Sequence, residues 1–359
     1  MFIVTGGAGF IGSVMLWKLN TLGIDDVLVV DLPSSPASAR CLDRLVYRDY
    51  LSADRFLDLV ERRGLPKRVQ GVFHMGACSS TLETSAAYLH RVNYGYTRTL
   101  AQWALNENIR FVYASSAATY GDGALGYSDE EAQSLDLKPL NLYGWSKQWF
   151  DDWAIRAGAA ARMVGVKFFN VFGPHENHKG VMASLVYKAY HEIVKTGSLK
   201  LFMSHRPDYE HGEQKRDFVY VKDCVDVLWR LYQRRDVNGL LNLGTGTART
   251  WNDLARSIFA AMGRPFNVEY VPMPETLRGQ YQYFTQADVS KLQRLGLAGE
   301  FRSLEESVRD YVVNHLAATE PRLSAARTPC AGRASLISDA LGDLAATEFS
   351  SGSAQVSPV

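Results

Sequence analysis

The stretch "LNLYGWSKQWFDDW" (140–153) sets Tyr143 and Lys147 four positions apart in a helical pattern. Residues at that spacing share a helix face whatever their purpose. Acting together they would move a proton at a hydroxyl. A free phenol, with a pKa of about 10, is a poor base at neutral pH, and a neighbouring ammonium stabilises phenolate and lowers that value. "YASSAATYG" (113–121) ends an apolar run at serines, where Ser116 either orients a substrate hydroxyl beside such a base or caps a turn. "TGGAGFIG" (5–12) lies between an apolar run and a helical pattern, the setting of a dinucleotide loop. Gly6 and Gly7 allow its tight turn, Gly9 lets backbone approach a pyrophosphate, and Gly12 permits close helix packing. The helix start adds amide donors for phosphate. Each string alone is common. A glycine loop followed by Ser116, Tyr143 and Lys147 is a combination suited to hydride transfer, in which a base takes the carbinol proton while a nicotinamide takes the hydride.

Asp31 closes the second apolar run about 20 residues on, where an acid binds the adenosine ribose of NAD. A strand-end turn former is the competing reading. Arg40, Arg44 and Arg48 follow, and one of them accepting a 2′-phosphate would turn the site to NADP.

These residues need a scaffold, and the apolar pattern supplies one. "MFIVT" (1–5), "DVLVVD" (26–31), "GVFHMGA" (71–77) and "RFVYASS" (110–116) read as buried parallel strands. Helical patterns run from Ile11 to Leu22, Ala53 to Arg63 and Ala86 to Asn108 between them. This alternation predicts an α/β, Rossmann-type doubly wound parallel sheet. "MVGVKFFNVFGP" (163–174), "FVYVKD" (218–223) and "LLNLGTG" (240–246) read as later strands, the last leading into the helix of "WNDLARSIFAAMG". "MSHRPDYEHGEQKRD" (203–217) reads as a long loop on the substrate side. From Ala317 the chain turns rich in Ala and Ser. We expect residues 317–359 to be largely disordered, with a short helix near Ser335–Ala346.

The chain has 359 residues, 47% hydrophobic and 21% charged, enough for a sizeable core. A net charge of +1 gives no basic surplus for nucleic acid. The opening strand leaves no room for a signal peptide, and no apolar run reaches the roughly 18 residues of a membrane span. Cys41, Cys78, Cys224 and Cys330 are scattered, as in reduced proteins, and form neither a disulfide framework nor a metal motif. The expectation is a cytoplasmic enzyme without metal.

"TGGAGFIG", "SSAATYG" and "YGWSK" together resemble the extended short-chain dehydrogenase/reductase family. "GACSST" (76–81), "PLNLYGWSK" (139–147), "FFNVFGP" (168–174), "HKG" (178–180), "KRDFVYVKD" (215–223), "NLGTG" (242–246) and "YQYFTQAD" (281–288) narrow the likeness. They resemble the ADP-L-glycero-D-manno-heptose 6-epimerases, nucleotide-sugar epimerases that supply lipopolysaccharide core heptose. The likeness runs from Met1 to about Leu316. It implies a dinucleotide-binding domain over 1–170 with a return segment near 215–246, and a smaller α/β substrate domain over 171–316. It also implies a tightly held NADP (or NAD), a homopentamer, and epimerisation at C6″ of ADP-heptose through a transient ketone.

Carried over by position, the resemblance puts Gly6, Gly9, Phe10, Ile11, Gly12, Asp31, Leu32, Met75, Gly76, Ala77, Cys78, Ser79, Asn93, Lys147 and Val171 at the cofactor. It puts Asn170, Val181, Lys188, Phe202, Arg216 and Tyr281 at the substrate, and gives proton handling to Tyr143 and Lys179. Leu32 replaces a polar residue beside the 2′-phosphate and Met75 replaces an acid. Val181 and Lys188 stand for Ser and His, and the 203–215 loop is longer than usual. Two alternatives are another nucleotide-sugar epimerase, such as one acting at C4 of a UDP-hexose, and a non-catalytic NAD(P)-binding regulator. Dehydratase chemistry wants an Asp-Glu pair where Ala117 and Ala118 stand.

Overall fold

The computed structural model describes residues 1–32, 36–65, 68–279, 281–299, 301–318 and 323. The remainder of the Ala/Ser-rich tail, with the helix expected near 335–346, lies outside the described residues. In chain order the strands are β1 (Phe2–Thr5), β2 (Val27–Asp31), β3 (Asp49–Ser52), β4 (Gly71–His74), β5 (Arg110–Ser116) and β6 (Val164–Phe168). After them come β7 (Asn170–Phe172), β8 (Leu199–Phe202), β9 (Lys215–Tyr220), β10 (Gly239–Leu243), β11 (Ala248–Thr250) and β12 (Val268–Val271).

Seven strands form one sheet in the order β10-β6-β5-β4-β1-β2-β3, and every pairing in it is parallel. All four residues of β1 are buried, as both faces of such a sheet are covered. On one face Val14 and Leu228, from helices Phe10–Thr21 and Val221–Gln233, pack against the strands. On the other, Phe56, Leu100 and Phe150 do so from helices Ala53–Glu61, Tyr96–Asn106 and Leu142–Arg156. The chain leaves β1 for β2 and β3 on one side and returns to β4, β5 and β6 on the other. The order therefore reverses between β1 and β4, and the crevice at the carboxyl ends of those strands is where doubly wound sheets bind ligands. Thr5 of β1 sits level with His74 of β4 at that edge.

A third core joins helices Leu185–Thr196, Trp251–Ala261 and Leu304–Tyr311 through Ile193, Ile258 and Val308. Beside it lie a three-stranded sheet, β11-β9-β7, and the pair β12-β8.

Several sequence expectations need correction. The run 163–174 is two strands in two sheets. The chain changes sheet at Phe169, whose amide donates to Leu243 O at 3.1 Å. "FVYVKD" stops being strand at Tyr220, and Val221–Asp223 begin the next helix with its acid in the first turn. Strands β3, β8, β11 and β12 were not anticipated, because their half-exposed residues lack the apolar run that marks the central strands. Leu323, within the expected disordered tail, is buried against the first core.

Candidate active site

A cleft of about 970 Å³ opens at the β1/β4 crevice and runs to the third core. Its floor is the glycine loop. Gly6 has φ +64°, and a Cβ there would lie 2.6 Å from the Gly76 backbone. A Cβ on Gly12 would lie 2.1 Å from Gly6 O. Gly12 thus packs on the loop itself rather than on the sheet. Asp31 braces the same loop, accepting from Ala8 N and Leu32 N at 2.8 Å each. Burial raises its pKa against those bonds. The tight loop, the helix start at Phe10 and an acid at the end of β2 fit the pyrophosphate and adenosine ribose of a dinucleotide.

Helix Leu142–Arg156 starts at Asn141, whose side chain caps Gly144 N at 2.8 Å. Tyr143 and Lys147 both line the cleft from its first turns, and Ser116 lines it from the end of β5. Lys147 is buried and donates to Ala114 O at 2.8 Å. Burial pulls its ammonium pKa down to about 8, opposed by Asp151. Burial also raises the Tyr143 phenol above its ordinary value, while the Ser116 hydroxyl works the other way. Lys147 does not enter this balance, and its ammonium donates to the Ala114 carbonyl.

Lys179 reaches the cleft from the segment Asn177–Met182 and lies 5.5 Å from the Phe10 ring centre. Burial lowers its pKa, and Glu176 opposes the shift. Glu176, 1% exposed, ties both ends of that segment: it accepts from Gly173 N at 3.2 Å, Ser184 N at 2.6 Å and Ser184 Oγ at 2.7 Å.

Met75 to Ser79, Val171, Asn170, Lys188, Phe202 and Tyr281 also line the cleft. Leu32, Asn93, Val181 and Arg216 are not among its lining residues. Asn93 is buried and holds the wall from behind, bonding Cys78 N, Cys78 O and Ser146 Oγ. Arg216 donates to Lys215 O and Gln282 O and stacks at 5.2 Å over Tyr281 and 5.7 Å over Trp251. Val181 is 75% exposed on the surface of its segment.

Sequence reasoning missed Glu176, His178 and Trp251, which line the cleft. Glu176 stood inside "PHENHKG" and Trp251 opened a helix, but neither pattern signals a pocket. Among the described residues no group of three or more His, Cys, Asp or Glu is arranged to hold a metal. No described helix is long and apolar enough to cross a membrane.

A doubly wound sheet with a glycine loop at its switch point and a serine, tyrosine and lysine on the adjacent wall defines a nicotinamide-dependent enzyme class. The NAD dependent epimerase/dehydratase family model matches residues 2–244. An ADP-L-glycero-D-manno-heptose-6-epimerase from Nitratidesulfovibrio vulgaris (strain DP4) is 52% identical over 90% of this chain and 100% of its own length. The solved ADP-L-glycero-D-manno-heptose-6-epimerase of Helicobacter pylori is 26% identical with a TM-score of 0.73, covering 87% of this chain and 94% of its own. A Thermotoga maritima UDP-glucose 4-epimerase with UDP-glucose is 26% identical with a TM-score of 0.71, covering 87% and 97%. The chain belongs to the NAD dependent epimerase/dehydratase family and, within it, to the ADP-L-glycero-D-manno-heptose-6-epimerases.

Proposed function

We propose that the protein interconverts ADP-D-glycero-β-D-manno-heptose and ADP-L-glycero-β-D-manno-heptose by inverting C6″, a step toward the lipopolysaccharide core. The observation that carries the reading is the meeting, in one cleft, of the Ser116–Tyr143–Lys147 wall with Lys179 from a separate segment. When bound, the nicotinamide dinucleotide supplies the hydride acceptor and then the hydride donor, so its oxidation state is unchanged over a cycle.

Tyr143 takes the C6″ hydroxyl proton as the carbinol becomes a ketone, and Ser116 orients that hydroxyl. Inversion requires the ketone to present its other face, which moves the carbonyl oxygen away from Tyr143. Lys179 delivers the proton there as the alkoxide forms. Lys147 keeps a positive charge beside the ribose and the phenol. Running the reaction in D₂O tests this route. Hydride return leaves C6″ without solvent deuterium, whereas deuterium at C6″ in the product would point to simple deprotonation and overturn it.

We infer further that the bound nucleotide is NADP, as the family resemblance implies. Arg48 pairs with Asp26 at 2.8 Å. Denaturing the protein and identifying the released nucleotide tests the inference, and NAD alone overturns it. A homopentamer goes with the same resemblance; sedimentation mass five times that of the chain supports it, and a monomer mass contradicts it.

A further inference from the structure

We infer that the buried Asp151–Lys167 pair is a positioning device for the catalytic wall, setting Ser116 against Tyr143 and Lys147. The inference rests on the catalytic reading of those three residues. Asp151 and Lys167 have side chains with 0% exposure and meet at 2.8 Å. A buried pair of this kind is poor evidence for stability, because apolar side chains of similar volume often serve as well. What the pair supplies, and apolar packing does not, is direction.

The bonds of Asp151 end on β5, which carries Ser116, and the bond of Lys167 ends on the turn Ala117–Tyr120 that directly follows Ser116. Asp151 sits two turns beyond Tyr143 and one beyond Lys147, on the same helix face. Its Oδ2 accepts from Ser115 Oγ at 2.6 Å and its Oδ1 from Tyr113 OH at 2.9 Å. One carboxylate thus fixes the helix against the end of β5, one residue short of Ser116. From β6, Lys167 donates to Thr119 Oγ1 at 2.8 Å, and that hydroxyl donates in turn to Ser116 O at 2.8 Å. A hydrogen-bonded path therefore runs from the ion pair to the Ser116 backbone. Lys147 closes the frame from the other side through Ala114 O. A hydroxyl or phenol displaced by about 1 Å can lose on the order of 100-fold in rate, so a wall held at this many points needs tethers rather than filler.

The test is the double variant Asp151→Leu/Lys167→Met, which removes the tethers without leaving a lone buried charge. It is run beside Asp151→Asn/Lys167→Gln, which removes charge but keeps hydrogen-bonding groups, and beside Tyr143→Phe. The readouts are melting temperature, bound nucleotide per chain, and kcat and KM for ADP-heptose epimerisation. We expect the apolar double variant to fold and retain its nucleotide. Its kcat should fall by about 10- to 100-fold with KM within a few-fold, and the Asn/Gln pair should recover a large part of kcat. Wild-type kcat in the folded apolar variant overturns the inference, as does a loss of kcat that only tracks loss of fold or nucleotide. If both doubles fail to fold, the pair is a folding element and the inference also falls. Tyr143→Phe separates the two levels. Should that variant turn over normally, the catalytic reading itself fails and takes this inference with it.

Discussion

Tyr143 is a phenol whose surroundings, in the protein alone, oppose its ionisation, since burial raises its pKa more than the Ser116 bond lowers it. A base so placed depends on the charge that arrives with its partners. Tyr143→Phe and Lys179→Met should each lower epimerisation by about 10²–10⁴-fold, the usual contribution of a general acid or base. Both variants should keep their fold and nucleotide. Near-normal turnover in Lys179→Met would leave Tyr143 acting alone or through water. The lysine on the wall sets a second expectation. Lys147, with its pKa pulled down to about 8, carries charge below that pH and loses it above. Turnover should therefore decline on the alkaline side with an apparent pKa near 8, and a kcat profile flat to pH 10 would contradict this role. Of these residues, Tyr143, Lys147 and Ser116 were legible in the sequence because spacing and strand ends expose them. Lys179 became visible only through the family resemblance, because a lone loop lysine carries no local signature. Asn93 and Arg216 were placed at ligands by analogy; in the structure Asn93 bonds Cys78 and Ser146, and Arg216 stacks on Tyr281 and Trp251, which line the cleft.

In the proposed reading, cofactor binding turns on the glycine loop. Its glycines answer to contacts and not only to flexibility, since a Cβ on Gly12 would meet Gly6 O at 2.1 Å and one on Gly6 would meet the Gly76 backbone at 2.6 Å. Gly12→Ala should purify with little or no bound dinucleotide and a lower melting temperature; full nucleotide content in that variant would show that the loop adapts. The central strands and their helices were readable because burial on both faces writes continuous apolar runs. Strands β3, β8, β11 and β12 were not, being half-exposed, and the break at Phe169 was hidden because both halves of that run are apolar.

At the scale of the whole molecule, two histidines tie stability to pH. His74, bonded to Thr5 and Thr97, has its pKa pushed down to about 3 by burial, with Lys147 adding to the shift. His315, buried in the segment Val312–Leu316 that continues helix Leu304–Tyr311, is pushed down to about 4 by burial. Both are held neutral in the fold and protonate at about 6.5 when unfolded. Their contribution is thus complete above about pH 6.5 and is lost as pH falls toward 4 and then 3. Each costs about 1.4 kcal/mol per pH unit across its own window. The melting temperature should drop steeply below pH 6, and less steeply in His315→Gln; an unchanged slope in that variant would contradict the assignment. The tail divides at a similar level. Leu323 is 3% exposed in the first core, so Leu323→Ala should cost about 2–5 kcal/mol. Deleting residues 331–359 should leave turnover within a few-fold.

The central claim is that this cleft inverts C6″ of an ADP-heptose with a nucleotide the protein already holds. Purified protein incubated with ADP-D-glycero-β-D-manno-heptose, and separately with UDP-glucose, without added cofactor, tests it most directly by proton NMR of the sugar. A mixture of the D-glycero and L-glycero heptose epimers is expected in the first tube and unchanged UDP-glucose in the second. An unaltered heptose beside conversion of UDP-glucose to its C4 epimer would contradict it.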